Sequence, residues 1–142
     1  MNKPLHKIEK CNIYYEAWQI QCCGKPFRVG SRVKWTCAKA DRDIQGYHID
    51  LHEEHHGDEE LAMVGHVVKI LAMMQVFPNN LGCYEFDASQ IILTELFEAD
   101  GWESEPDNED DNPEYIVFWG YMVTLENVEI YELGVRKRFD YR

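Results

Sequence analysis

Apolar and polar residues alternate along much of this chain with a period of two. That is the period of a half-buried strand, because successive side chains of an extended backbone point to opposite faces. In PFRVGSRVKWTC, Phe27, Val29, Val33 and Trp35 alternate with Arg28, Arg32 and Lys34, and Gly30-Ser31 divides the run as a turn or bulge. Cys11 to Ile20 (CNIYYEAWQI) is rich in aromatic and β-branched residues and predicts a strand closed by a turn at Gly24-Lys25-Pro26. Ala62 to Phe77 predicts a long strand bent at Gly65, Ile91 to Phe97 a short one, and Val128 to Val135 the last. Tyr115 to Leu125 is apolar at odd and even positions alike, which predicts a central strand covered on both faces. The tryptophans Trp18, Trp35 and Trp119 are expected in the core, and Trp102, beside Gly101, at the surface.

Between these runs the pattern lapses. Residues 1–10 are polar and predict a loose arm. Residues 41–60 show no sustained apolar period and predict a long acidic loop or a short helix; 103–114 predict a second acidic loop, and 136–142 a basic tail. Five to seven strands without an amphipathic helix predict a mainly β fold, a small SH3-like or related barrel or sandwich, with residues 1–142 forming one domain. The pair FxVGxxVxW (Phe27 to Trp35) and GHVVKI (Gly65 to Ile70) is similar to the paired strand openings of SH3-like barrels, a likeness that concerns fold and leaves function open.

Composition narrows the function classes. With 45% hydrophobic residues the chain can build a core. No run approaches the roughly 20 apolar residues of a membrane span, and the first residues lack the pattern of a secretory signal, so the expectation is a cytoplasmic protein without membrane contact. Of the five cysteines, an odd number, most are expected as reduced thiols. The formal charge of −12 is localised: six acids lie in Asp50–Glu60 and seven in Glu103–Glu114, and neither stretch holds a Lys or Arg. This balance opposes nucleic-acid binding, which rests on neutralising phosphates, and favours a basic protein partner.

Four constellations are candidates for chemistry. Cys22 and Cys23 with His55 and His56 supply the thiolates and imidazoles that zinc prefers, although adjacent cysteines depart from the usual C-x₂₋₄-C spacing. The string His52-Glu53-Glu54-His55-His56 contains H-E-x-x-H, but its flanks lack the buried helix a zinc protease needs. Cys22 or Cys23 with a histidine of the 48–56 cluster has the composition of a thiolate–imidazolium pair. The acidic loop fails the EF-hand pattern, since Asn112 stands where glycine is required.

The string WQIQCCGKPFRVG (Trp18 to Gly30), continued by Val33 and Trp35, resembles the WQxxCCGxPFxVGxxVxW signature of an uncharacterised bacterial domain family. Glu53-Glu54-His55-His56-Gly57, Gly65 to Val67, Ala99 to Trp102 and Gly120 to Leu125 are similar in order as well. The resemblance implies a bacterial source, a small β domain and no assigned activity, and it puts weight on Cys22-Cys23 and His55-His56. The expectation is therefore a non-enzymatic protein-interaction module with a basic partner and a structural or regulatory zinc. The alternative is a small metal-dependent or cysteine-dependent enzyme using the same four residues, with Glu53 or Glu54 as base.

Overall fold

The computed structural model describes residues 3–54, 61–78, 82–103 and 113–133. In chain order these form β1 (His6–Glu16), α1 (Ala17–Cys23), β2 (Phe27–Arg28), β3 (Arg32–Ile44), β4 (Tyr47–Glu53), β5 (Leu61–Pro78), β6 (Ile92–Leu96), β7 (Glu98–Ala99) and β8 (Glu114–Glu132). The strands β3, β4, β1, β8 and β5 follow one another round a ring that β3–β5 pairing closes. The protein is thus mainly β, a closed five-strand barrel with an extra strand, β6, and one short helix. No helix among the described residues is long and apolar enough to cross a membrane.

Pairing is antiparallel except between β1 and β4, where Ile13 lies opposite Leu51 and Tyr14 opposite His52. The length of β5 lets it change partners. Its first part pairs with β3, from Leu61 opposite Cys37 to His66 opposite Arg32, and its later part pairs with β6, from Ile70 opposite Leu96 to Met74 opposite Ile92. At the exchange point Gly30 N–H donates to the Val67 carbonyl at 2.8 Å and Val67 N–H donates to that of Ser31 at 2.9 Å. The bend expected at Gly65 coincides with a register shift between Val64 and His66.

Two cores lie on opposite faces of these strands. Ile13, Tyr15, Cys37, Met63, Ile70, Tyr121 and Val123 fill the barrel. Their chain neighbours Tyr14, Leu71 and Met122 point outward with Met73, and are covered by Ile44, Ile49 and Ile91. This second cluster explains why Tyr115–Leu125 and the end of β5 are apolar at consecutive positions: burial on both faces erases the alternation.

Several expectations are corrected. The arm assigned to residues 1–10 is strand from His6 onward, since His6 to Lys10 join β8 from Ile130 to Glu126. Ladder hydrogen bonds come from the backbone, so exposed polar side chains do not prevent pairing. The strand expected over Cys11–Ile20 stops at Glu16, and α1 follows. The chain leaves the sheet where Glu16 lies opposite Gly120, whose φ of +143° and missing side chain make room; a Cβ there would sit 2.3 Å from the Tyr15 carbonyl oxygen. The helix then seals one end of the barrel with Ala17 and Ile20.

Of the loop assigned to residues 41–60, the described part is mostly a hairpin, in which Arg42–Ile44 and Tyr47–Ile49 pair across Gln45-Gly46, both at positive φ; 55–60 lie outside the described residues. β4 does alternate, with Ile49, Leu51 and Glu53 buried, and its last inward position is a carboxylate. Of the loop assigned to 103–114, Glu103 is half-buried and Glu114 begins β8 opposite Pro78; 104–112 lie outside the described residues, as does the basic tail 136–142. β2 pairs with β7 across the Phe27–Ala99 contact rather than with β3, and the strand expected over Val128–Val135 continues β8 as far as Glu132.

Candidate functional site

The Gln19 side chain links α1 to the end of β4. Gln19 is fully buried, and its amide donates to the Glu53 carbonyl at 3.3 Å and to Glu54 Oε1 at 3.1 Å. From the other side Thr36 Oγ1 donates to the Glu54 carbonyl at 2.7 Å, and Glu54 N–H donates to the Thr36 carbonyl at 2.9 Å. A buried amide costs free energy unless its groups are paired, so these bonds fix where α1 sits. Glu53 itself is 2% exposed and lies opposite Cys37 in the ladder. Burial first, and the Glu53 carboxylate second, push up the pKa values of Tyr15 and Cys37.

Cys22 and Cys23 end α1 and are exposed. The Cys23 thiol is held above its ordinary value by desolvation, by hydrogen bonding with Cys22 and by the charges of Cys22 and Glu53, which opposes the thiolate a nucleophile needs. His55 and His56 lie outside the described residues, so Glu54 is the last described position before them. Among the described residues no three His, Cys, Asp or Glu side chains gather as a metal-binding group.

The remaining histidines of the cluster have carboxylate partners. His52 Nε2 is 2.8 Å from Glu16 Oε1, and the ring stacks on Tyr14 with centroids 5.4 Å apart. His48 lies 2.8 Å from Asp43 and 3.3 Å from Asp41. Because His52 and Glu53 belong to a strand, they face opposite sides of the sheet, so the H-E-x-x-H string does not begin on the helix a zinc protease needs; His55 and His56 lie outside the described residues.

The second candidate region surrounds the Ala99-Asp100-Gly101-Trp102 segment. The buried Tyr121 hydroxyl accepts the Gly101 N–H at 2.8 Å and donates to Glu103 Oε2 at 2.7 Å, while Gln21 of α1 donates to the Gly101 carbonyl at 2.7 Å. Gly101, at φ +89°, passes so close to Ile20 that a Cβ would meet its Cγ2 at 2.8 Å. A cleft of about 480 Å³ opens beside it against the β2–β7 pair, with Phe27, Arg28, Glu98, Asp100 and Glu103 in its walls. Trp102 is 66% exposed and Phe97 61%, and Trp18, expected in the core, is 48% exposed and hydrogen-bonds Glu16. Trp35 and Trp119 are half-buried; Trp35 meets Tyr15 and Phe27 edge-on, and Trp119 Nε1 donates to Gln75 Oε1 at 3.0 Å.

Sequence reasoning missed Gln19, Tyr121 and the Glu16–His52 pair. Gln19 carried no visible signal, whereas a polar residue ending the apolar alternation of β4 marks Glu53 as an inward carboxylate. Comparison with the curated proteins and with the solved structures found no match to this chain. The model of a family of unknown function, DUF6578, matches residues 9–127, and the chain belongs to that family.

Proposed function

We propose that this protein is a non-enzymatic interaction module that receives a basic protein partner. The observation that carries the reading is the exposure of two rings, Phe97 and Trp102, in a short stretch of chain that also exposes Glu95, Glu98 and Asp100, the last two in the wall of the cleft. Exposed aromatic residues beside a cleft are the usual anchors of a protein contact, and the surrounding carboxylates select positive charge. The overall charge of −12 speeds encounter with such a partner and repels nucleic acid. The test compares capture from a lysate of the source organism by wild-type protein and by a Phe97→Ala/Trp102→Ala variant. A basic protein held by the wild type, released by salt and lost with the variant is the expected result. Equal capture by both overturns the reading.

The module carries a zinc in this proposal, held by Cys22 or Cys23 with His55 or His56. Its support is the Gln19 amide, which ties the helix bearing both cysteines to Glu54. Plasma mass spectrometry of protein purified without a histidine tag is expected to find about one zinc per chain, lost in Cys22→Ser, Cys23→Ser and His55→Ala/His56→Ala variants. Absence of metal, also after zinc is added back, removes the site.

A second reading, a small metal-dependent enzyme with Glu53 or Glu54 as base, is favoured by the burial of the Glu53 carboxylate at this end of the barrel. It falls with the same absence of metal.

A further inference from the structure

The barrel ring closes on itself, so its five strands occupy one another's edges, and β6 is left as the outer strand of the sheet. Among the described residues β6 pairs with β5 alone. Among the described residues no backbone bond outside that ladder reaches Ile92 to Leu96. Both ends of the segment are nonetheless tied down: the Gln45 side chain donates to the Ile91 carbonyl, and Val29 N–H donates to the Phe97 carbonyl at 2.9 Å. The result is a held edge of five residues, about 17 Å long, with the N–H and C=O groups of alternate residues directed outward. An edge of this kind is a template for another strand.

We propose that a basic segment of a partner protein, in extended conformation, docks beside β6 as the next strand of the sheet. The proposal rests on the interaction reading above and names its surface and its mode. Charge selects the occupant. Glu95, the penultimate residue of β6, stands exposed, with Glu98 and Asp100 just beyond the end of the strand. A second copy of this chain would set Glu95 near its own counterpart and bring together two chains of charge −12. A basic strand instead places a lysine or arginine across from Glu95. Lys69 feels the Glu95 charge, but its ammonium donates to Tyr47 Oη at 3.2 Å, which keeps it occupied within the protein.

The faces of β6 give the incoming strand its pattern. Leu93 packs on the outer core and Leu96 on the barrel core, so period two puts Leu93, Glu95 and Phe97 on one face and Ile92 and Thr94 on the other with Leu96. Ile92 is 53% exposed and Phe97 61%, which leaves apolar surface for the incoming strand at each end of β6. The segment that fits alternates basic with β-branched or aromatic residues.

The test uses a labelled synthetic peptide alternating lysine and valine, its glutamate–valine counterpart, and a lysine–valine peptide N-methylated at alternate residues. Fluorescence anisotropy measures affinity, and hydrogen exchange of the full-length protein locates the contact. The lysine–valine peptide is expected to bind and to protect the amides of Ile92–Leu96, and the glutamate–valine peptide to stay free. N-methylation and the Glu95→Lys substitution are each expected to weaken binding by about tenfold. Equal binding of the methylated peptide overturns strand addition, and so does absence of binding. Protection at Asp100–Trp102 without protection at β6 also overturns it, while leaving the interaction reading intact. Self-association of the free protein that Glu95→Lys changes assigns the edge to a second copy and overturns the basic occupant.

Discussion

His52 of β4 and Glu16 of β1 meet across a parallel strand pair, with Nε2 and Oε1 2.8 Å apart and both side chains about one-third exposed. The hydrogen bond to Glu16, opposed by desolvation, raises the His52 pKa above 6.5, and the bond to His52 lowers that of Glu16 below 4.5. The histidine contribution to stability is complete below pH 6.5 and is lost as pH rises through the raised value. The glutamate contribution is complete above pH 4.5 and is lost as pH falls through the lowered value. The melting temperature of wild type should therefore exceed that of His52→Gln most between pH 4.5 and 6.5. A difference constant with pH would mean that the imidazole contributes only packing on Tyr14.

Gly120 permits β1 to turn into α1. A Gly120→Ala side chain would collide with the backbone of Tyr15, Glu16 and Ala17, which has no flexible end to move aside. Gly30→Ala is the control, because Gly30 has a positive φ of 95° and no atom within 4 Å of where a Cβ would stand. Urea titration is expected to show a loss of about 1 kcal/mol for Gly30→Ala, and on the order of 3 kcal/mol or more for Gly120→Ala.

Replacing Gln19 by alanine removes the donor to Glu53 and Glu54 and leaves a space at the barrel end. A destabilisation of about 1–3 kcal/mol is expected by urea titration, the cost of leaving buried acceptors unsatisfied. Faster amide exchange should accompany it in Ala17–Cys23 and spare β6. Uniform acceleration throughout the chain would instead mean that α1 and the barrel open as one unit.

The thiols offer a direct check on the barrel. Cys22, Cys23 and Cys83 are exposed, whereas Cys11 and Cys37 are buried, with burial pushing Cys11 up to about 12 and Cys37 well above its ordinary value. Alkylation of native protein freed of metal by a chelator, followed by intact mass measurement, should modify Cys22, Cys23 and Cys83, with the other two reacting only on unfolding. Labelling of Cys37 in the native state would contradict its place between β4 and β5.

Much of this fold was legible because strand periodicity is local. Ile91–Phe97 and Ala62–Phe77 match β6 and β5 to within a residue or so, and Trp102 is exposed as its glycine neighbour suggested. The hairpin of β3 and β4 was not, although Ile49 and Leu51 alternate with His48 and Asp50. Its acids and histidines masked a pairing that the backbone makes without regard to side-chain charge. α1 was hidden for another reason: seven residues give fewer than two helical turns, too short a window for a 3.6-residue period to emerge among aromatic neighbours.

The candidate site divides along the same line. Sequence by itself determined the strand-rich composition, the two-faced apolar character of β8, the concentration of acid in two segments and the presence of Cys22-Cys23. All of these are properties of neighbouring residues. Tertiary structure alone decided that β1 and β4 run parallel, that β5 changes partners from β3 to β6, and that Gln19 reaches Glu54 across 35 positions of chain. Such contacts depend on which backbones close a ring, and the ladder hydrogen bonds that close it are the same whatever side chains the strands carry.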